Sequence, residues 1–173
     1  MLLIYTSKIT PRLKFVFKQI CTRILYIPVS FTNVIEEFIA HDGLKMSYGA
    51  QPLGSEFFVR SNGLLLEQGL SDLELNVQIW EDTKCFFASG EKSHIPFDIF
   101  SAAFYLLSRY EEYLPHVKDS YGRFTKEESL AFKSGFLHQP VIDIWAYKFK
   151  EALQVQYPNY EFDSRKFSIN PVI

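Results

Sequence analysis

Charged side chains between residues 98 and 123 include the residue types that acid–base chemistry requires. Two adjacent glutamates close an apolar stretch, with two aspartates and two arginines near them. The members of this group are Asp98, Arg109, Glu111, Glu112, Asp119 and Arg123. Paired carboxylates can serve as general acid and base, for example in glycoside hydrolysis. The sequence leaves open either a catalytic or binding cluster or an ion-pair network that fixes a helix end, and it favours the ion pairs because no other catalytic motif accompanies the acids.

The two adjacent glutamates need electrostatic compensation. Glu111 and Glu112 stand at the C-terminal end of a predicted helix, where the helix dipole prefers cations. Arg109 and Arg123 are the cations best placed to compensate them. We therefore predict that one or both arginines pair with these glutamates, and that their removal destabilises the fold.

Aromatic residues close to the same helix end suggest a second kind of site. A sugar-stacking platform could be built from three tyrosines and a tryptophan, because sugar rings pack on exposed aromatic faces. The four residues are Tyr105, Tyr110, Tyr113 and Trp80. Tyrosines of a half-buried helix also commonly form the edge of a core, so both interpretations stay open here.

The sequence does not indicate a metal or nucleotide site. Zinc needs clustered ligands, whereas the four histidines are isolated from one another in the sequence. They are His41, His94, His116 and His138. No glycine-rich phosphate loop follows an early strand, and no Gly-x-Ser-x-Gly motif occurs. We expect no metal, no cofactor and no catalytic residue in this chain.

Composition indicates one globular domain. The chain has 173 residues, of which 47% are hydrophobic and 17% aromatic, enough for a sizeable core and unlike a disordered chain. Its net charge of −2 implies no general attraction to nucleic acid or anionic membranes. Cys21 and Cys85 lie far apart in apolar surroundings and are predicted to be buried thiols. The first five residues are too short an apolar run for a signal peptide, which predicts a cytoplasmic protein.

The first elements of the fold that must position the candidate site residues are predicted to form a βαβ unit. Leu2–Tyr5 is an apolar run at the start of the chain and predicts a buried central strand. Thr10 and Pro11 form a helix start, with a capping side chain followed by proline. Val29–Phe31 is the next strand. We predict a single α/β domain whose mixed sheet has a parallel βαβ opening and helices packed on it.

The later elements are short strands followed by helices. Residues 57–59 and 64–66 flank a turn at 61–63 and predict a hairpin. The longest helix is predicted from Pro96 to just before Pro115. Thr125 and Glu128 match a capping box, and a last helix is predicted from Pro140 to just before Pro158. Residues 1–165 would form the domain, and residues 166–173 would begin a strand of a downstream domain.

Several of these segments also carry a family resemblance. The matching segments are Pro96–Phe100, Phe104–Tyr113, Asp119, Gly122–Phe124, Ser129–Ala131 and Gln139–Val141. They resemble an uncharacterised bacterial domain that stands before a polysaccharide deacetylase domain in larger proteins. The resemblance extends from Leu2 to Ile173, and it implies an N-terminal accessory domain whose partner is a C-terminal deacetylase-like domain missing here. The deacetylases' Asp-Asp pair and His-x3-His motif have no matching positions, so no catalytic residue carries over.

The sequence therefore favours a non-catalytic accessory domain of a carbohydrate-active, deacetylase-like protein. Two alternatives stay open. One is a glycan- or protein-binding module that uses the tyrosine-rich helix end; the other is a stand-alone hydrolase that uses Glu112 and Asp119. Shifted carboxylate pKa values in a cleft around Glu112 would favour the hydrolase. An exposed aromatic row would favour glycan binding, and an apolar surface near residues 160–173 would favour the accessory domain.

Overall fold

Four parallel strands form the central sheet in the computed structural model, which describes residues 1–162. Their order across the sheet is β2-β1-β3-β4. The strands are β1 (Leu2–Tyr5), β2 (Val29–Thr32), β3 (Lys45–Gly49) and β4 (Phe57–Arg60). Leu3 of β1 stands between Ser30 of β2 and Lys45 of β3. The predicted α/β class, the parallel βαβ opening and the internal position of the first strand are thus confirmed.

Antiparallel pairing occurs in a separate two-stranded ribbon rather than inside this sheet. β5 (Gln78–Trp80) pairs antiparallel with β6 (Thr83–Cys85). The connection between β5 and β6 is two residues long, which suits a hairpin. Residues 50–56 connect β3 to β4 and carry the chain back to the end of the sheet where β3 began, so that β4 runs parallel to β3.

The helix between β1 and β2 begins as its sequence predicts. The Thr10 hydroxyl accepts a hydrogen bond from the Leu13 amide (3.1 Å), and Pro11 occupies the first turn. Helix α1 (Pro11–Phe17) continues without a break into a π-helix over Lys18–Ile24. Most apolar side chains of the two segments are buried, whereas Phe15 is 42% exposed.

The hairpin predicted around residues 61–63 is wrong, because both sides of the turn have other partners. The outer edge of β4 is occupied by His94, whose amide donates to the Phe58 carbonyl (2.9 Å). On the other side, the Asn62 amide donates to the buried carboxylate of Asp98 (2.8 Å). The carbonyl of Leu65 accepts from the Thr10 hydroxyl. Residues 64–66 therefore form a turn instead of a strand.

The helix predicted from Pro96 to residue 114 is shorter than expected. Helix α3 spans Ile99–Leu107, and a 3-10 turn follows over Tyr110–Tyr113. Between them Arg109 adopts a left-handed backbone conformation with φ +53°, which no α-helix continues through. The longest helix is instead α5 (Val141–Gln156), whose predicted bounds are confirmed.

The capping box predicted at Thr125 and Glu128 does not form, and Ser129 caps the next helix instead. Thr125 makes no capping hydrogen bond to the turn that follows it. The Ser129 hydroxyl accepts from the Phe132 amide (3.2 Å) and so begins helix α4 (Leu130–Lys133). Gly135 then ends this helix at φ +71°, as expected for a glycine after a helix C-terminus.

The core lies on one face of the sheet, beneath α1, α3 and α5. Aromatic rings join these helices to one another and to β3. The Phe17 and Phe100 centroids are 3.8 Å apart, those of Phe100 and Phe149 are 5.2 Å apart, and Phe17 contacts Tyr48 of β3 at 5.3 Å. Cys21 and Cys85 are buried free thiols, as predicted.

The opposite face of the sheet has a thinner cover. It carries helix α2 (Ile35–Ala40), whose Phe38 ring contacts Tyr5 at 5.5 Å. Within residues 1–162, no helix is both long and apolar enough to cross a bilayer. The predicted domain boundary at residue 165 and the predicted strand over residues 166–173 lie outside the described residues.

Candidate functional site

Asp98 lies apart from the other members of the charged group. It precedes α3, is fully buried, and accepts hydrogen bonds from Tyr48 Oη (2.7 Å), the Asn62 amide (2.8 Å) and the Ser101 amide (3.0 Å). Burial raises the pKa of its carboxyl despite these donors. The nine residues of α3 separate it from Arg109 by about 14 Å at 1.5 Å per residue. Grouping Asp98 with the cluster was wrong, since it caps a helix inside the core.

An open cavity of about 480 Å³ lies at the other end of α3. It is lined by Arg109, Glu112, His116, Lys118, Gly122, Arg123 and Phe124. The left-handed backbone at Arg109 turns the chain away from the helix axis and directs the next residues into this rim. The cavity therefore brings together four polar or charged side chains besides Arg109 itself, from the 3-10 turn and from the loop that follows it.

Two local ion pairs hold the arginines of the cavity. The guanidinium of Arg109 binds one oxygen of Glu112 through Nε and Nη2. Arg123 Nε donates to the Asp119 carboxylate at 3.0 Å. The prediction that Arg109 compensates Glu112 is thus confirmed, whereas Arg123 pairs with Asp119 instead of with the two glutamates. Both arginine side chains are about 70% exposed, so these pairs contribute little to stability.

A tight turn over residues 119–123 presents Arg123 and Tyr121 side by side. The Asp119 carboxylate accepts from the amides of Tyr121 (2.8 Å) and Arg123 (2.9 Å). These contacts lower the pKa of Asp119, with the Arg123 amide as the largest cause. The Arg123 guanidinium lies over the Tyr121 ring, 4.8 Å from its centroid. Gly122 has φ +77°, a conformation that glycine adopts without strain.

Glu111 is directed away from the cavity although it adjoins Glu112 in sequence. Its carboxylate accepts from the Leu130 amide (2.8 Å), at the start of α4. Burial raises the pKa of Glu111, and the neighbouring Glu112 raises it further. The two glutamates therefore do not form a carboxylate pair, and Glu111 joins the 3-10 turn to α4.

The four aromatic residues proposed as a sugar-stacking platform do not form a common surface. Tyr105 and Tyr110 are buried, and their rings contact each other at 5.4 Å. Trp80 packs on Phe97 across the molecule, whereas Tyr113 is 70% exposed. The aromatic ring that lines the cavity is instead that of Phe124, and Tyr121 lies against Arg123 of the lining.

Sequence analysis had not assigned Tyr121, His116 or Lys118 to the site. The spacing of Asp119 and Gly122 is the signal that could have found Tyr121, because an aspartate followed by a glycine three residues later is typical of a tight turn. His116 donates from Nδ1 to the Leu114 carbonyl oxygen (2.8 Å) and packs edge-on against Phe124. Its sequence surroundings give no comparable signal.

The cavity offers mainly hydrogen-bond donors. Glu112 is occupied by Arg109, and Asp119 is occupied by the backbone of its own turn. Lys118 forms no ion pair with any residue in the described part of the chain. Among residues 1–162 no three His, Cys, Asp or Glu side chains are grouped so as to hold a metal ion. The arrangement is chemically suited to binding a negatively charged group.

Comparisons with known proteins give one result. The model of a family of unknown function, DUF7033, matches residues 2–158. No curated protein and no solved structure matches the chain. Since the match includes the sheet, the five α-helices of residues 1–162 and the loop that forms the cavity, the chain belongs to the family of unknown function DUF7033.

Proposed function

We propose that this chain is a non-catalytic accessory domain that packs against a deacetylase-like, carbohydrate-active domain of the same cytoplasmic protein. One sequence resemblance and one structural observation support this proposal. The resemblance of the Phe104–Tyr113 region and its neighbouring segments suggests the class of partner. The observation that carries the proposal is an exposed apolar groove on the thin side of the sheet, close to the last described residues.

The groove lies between α2 and the connection before β4. It has a volume of about 240 Å³. Its apolar rim is formed by Ile35, Ile39 and Leu53, which are 41%, 66% and 43% exposed. Isolated exposed apolar residues are common on proteins, but a group of them around a groove is typical of an interaction surface.

The walls of the groove are held in place. Lys45 Nζ donates to the carbonyl oxygens of Phe38 (3.2 Å), Ile39 (3.3 Å) and His41 (2.7 Å), and so fixes the end of α2. On the other wall, a Glu56 oxygen accepts from the Leu53 amide (2.8 Å). A preformed groove loses little conformational entropy when a partner binds.

Helix α5 ends beside this groove. Gln156 Nε2 donates to the Ser55 carbonyl oxygen (2.9 Å), and Tyr157 Oη donates to the Lys45 carbonyl oxygen (2.7 Å). Ser55 and Lys45 both line the groove. A domain that begins at residue 166, as the sequence predicts, would be joined to the chain shortly after Tyr157 and therefore near this apolar surface, which favours an intramolecular contact.

The non-catalytic part of the proposal is supported by the surroundings of Glu112 and Asp119. Hydrolysis by two carboxylates requires both to face the same substrate space. Glu112 borders the cavity and pairs with Arg109, whereas Asp119 binds the amides of its own turn. The deacetylase-like domain would supply the metal-binding aspartates and histidines.

The test uses the protein extended through its downstream reading frame. Ile39→Glu places a charge in the groove, and Ile79→Glu is the matched control because Ile79 is 75% exposed on β5, in a separate ribbon. We expect Ile39→Glu, but not Ile79→Glu, to separate one thermal transition into two. Equal behaviour of the two variants would contradict docking at this groove. A downstream frame without the aspartates and histidines would contradict the choice of partner.

A further inference from the structure

We propose that the cavity at the end of α3 binds the carboxylate of an acidic sugar unit, such as a uronic acid, through Arg109, Lys118 and Arg123. This site is distinct from the α2 groove and does not depend on the accessory role. The proposal is supported by the charges that line the cavity, by the ion pairs that orient Arg109 and Arg123, and by the polar groups around them.

The charges of the cavity suit a single negative charge. Three cations, Arg109, Lys118 and Arg123, line the space. Two carboxylates, those of Glu112 and Asp119, pair with the arginines, which leaves an excess of one positive charge. A monoanionic carboxylate balances this excess, whereas a phosphate dianion would exceed it. Guanidinium groups also match the planar geometry of a carboxylate.

Arg109 is kept in a backbone conformation that favours glycine. The residue directly beyond a helix end commonly has positive φ and is usually glycine, yet here Arg109 has φ +53°. Left-handed geometry is less favourable for an L-residue than for glycine. Such strain is typical of functional sites. Since Nε and Nη2 bind Glu112, the guanidinium is held in one orientation and Nη1 can donate to a ligand.

Arg123 and Lys118 complete the donor set. Arg123 is held by Asp119 through Nε and by the Tyr121 ring beneath it, and these contacts leave both terminal nitrogens to donate. Lys118 and Phe124 form an antiparallel bridge that closes the turn. The turn thus carries two cations on one short rigid segment.

Groups beside the cations suit the hydroxyls and ring of a sugar. Phe124 lines the cavity and offers an apolar ring against which a sugar ring can pack. Glu112 binds Arg109 through Oε1, which leaves Oε2 to accept from a hydroxyl. His116 uses Nδ1 for the Leu114 carbonyl, so neutral His116 has an acceptor at Nε2. The cavity of about 480 Å³ is within the size range of small-ligand sites.

The experiment titrates the 173-residue chain with glucuronate, methyl glucoside and inorganic phosphate, followed by NMR chemical shifts. Lys118→Ala and Arg123→Gln each remove one charge-assisted contact. The matched control is Arg23→Gln, an exposed arginine on the π-helix whose Nη1 bonds the Gln19 side chain. We expect saturable glucuronate binding that weakens about tenfold in each cavity variant and stays unchanged in Arg23→Gln.

Four outcomes would overturn the proposal. The first is the absence of saturable glucuronate binding. The second is equal binding by Lys118→Ala, Arg123→Gln and the unaltered chain. The third is phosphate binding as tight as glucuronate binding, which would show a general anion site. Methyl glucoside binding as tight as glucuronate would exclude a role for the carboxylate and would overturn it too. None of these outcomes bears on docking at the α2 groove.

Discussion

The two ends of α3 carry carboxylates in opposite surroundings. At the N-terminal end Asp98 has no solvent exposure and accepts from Tyr48, Asn62 and Ser101. At the C-terminal end Glu112 borders an open cavity and pairs with Arg109, which is 69% exposed. One end joins three segments of the core, and the other presents cations to solvent. Burial and the number of fixed donors distinguish the structural carboxylate from the one at a candidate binding site.

The comparison predicts its largest effect for Asp98→Ala. The substitution leaves the Asn62 and Ser101 amides and the Tyr48 hydroxyl without their acceptor inside the core. Unsatisfied buried donors cost about 1–3 kcal/mol each, and relaxation absorbs part of this. We expect the free energy of unfolding to fall by about 3–5 kcal/mol, measured by urea denaturation.

Asp119→Ala provides the control at the other end of α3. Asp119 also accepts from two amides, but in an exposed turn where water replaces it. We expect its loss in unfolding free energy to be much smaller than that of Asp98→Ala. Similar losses in the two variants would remove the contrast between the buried and exposed ends.

A second prediction concerns pH. Burial raises the pKa of Asp98 in the folded state, whereas the unfolded value is about 3.9. The folded state therefore binds this proton more tightly than the unfolded state. The contribution of Asp98 to stability is greatest below the unfolded pKa and declines as pH rises through the folded pKa. Asp98→Asn should lack this decline, so its stability should rise more steeply with pH than that of the unaltered protein. Parallel pH profiles would contradict the prediction.

A third prediction separates the adjacent glutamates. Glu111→Ala removes the acceptor of the Leu130 amide and should cost about 1 kcal/mol of unfolding free energy. Glu111→Gln keeps an acceptor oxygen and should cost less. Hydrogen exchange should show faster exchange of the Leu130 amide in Glu111→Ala but not in Glu112→Ala. Faster exchange in both variants would mean that the two side chains share one structural role.

Local signals in the sequence predicted the elements that depend on neighbouring residues. Thr10 and Pro11 begin α1 as expected, and the apolar spacing from Val141 gives α5. The expected hairpin failed because Asn62 bonds Asp98, thirty-six positions away. Such a contact gives no signal in the local spacing of apolar residues. Residues 64–66 are all apolar, and this pattern predicted a strand.

Only the part of the candidate site that depends on neighbouring residues was predicted from the sequence. Arg109 and Glu112 are three residues apart, and Asp119 and Arg123 are four apart, so their pairing follows from short-range geometry. Asp98 was misplaced because it was grouped with residues that are near it in sequence, whereas the nine residues of α3 separate it from Arg109 in space. The left-handed turn at Arg109 could not be predicted, since a non-glycine residue rarely takes that conformation. This turn determines which side chains face the cavity.

The smallest effect on stability is expected for Arg109→Gly, and it tests the comparison most directly. Glycine relieves about 1 kcal/mol of backbone strain at φ +53°, and the lost exposed ion pair with Glu112 is worth about 0–1 kcal/mol. The two changes nearly cancel, so the melting temperature should stay close to that of the unaltered protein. Arg109→Ala keeps the strain and loses the ion pair, so it should be about 1 kcal/mol less stable than Arg109→Gly.

The same variant should lose glucuronate affinity, because the guanidinium that lines the cavity is gone. Arg109→Gly would then combine unchanged folding with impaired binding, which is the reverse of what Asp98→Ala does through the core. Thermal melts and NMR titration of the same samples measure both quantities. If Arg109→Gly instead lost several kcal/mol of stability, the ion pair would be a structural element. The C-terminal end of α3 would then stabilise the fold as the Asp98 end does. An exposed ion pair at a strained residue contributes several kcal/mol to the free energy of unfolding only when the surrounding fold depends on it.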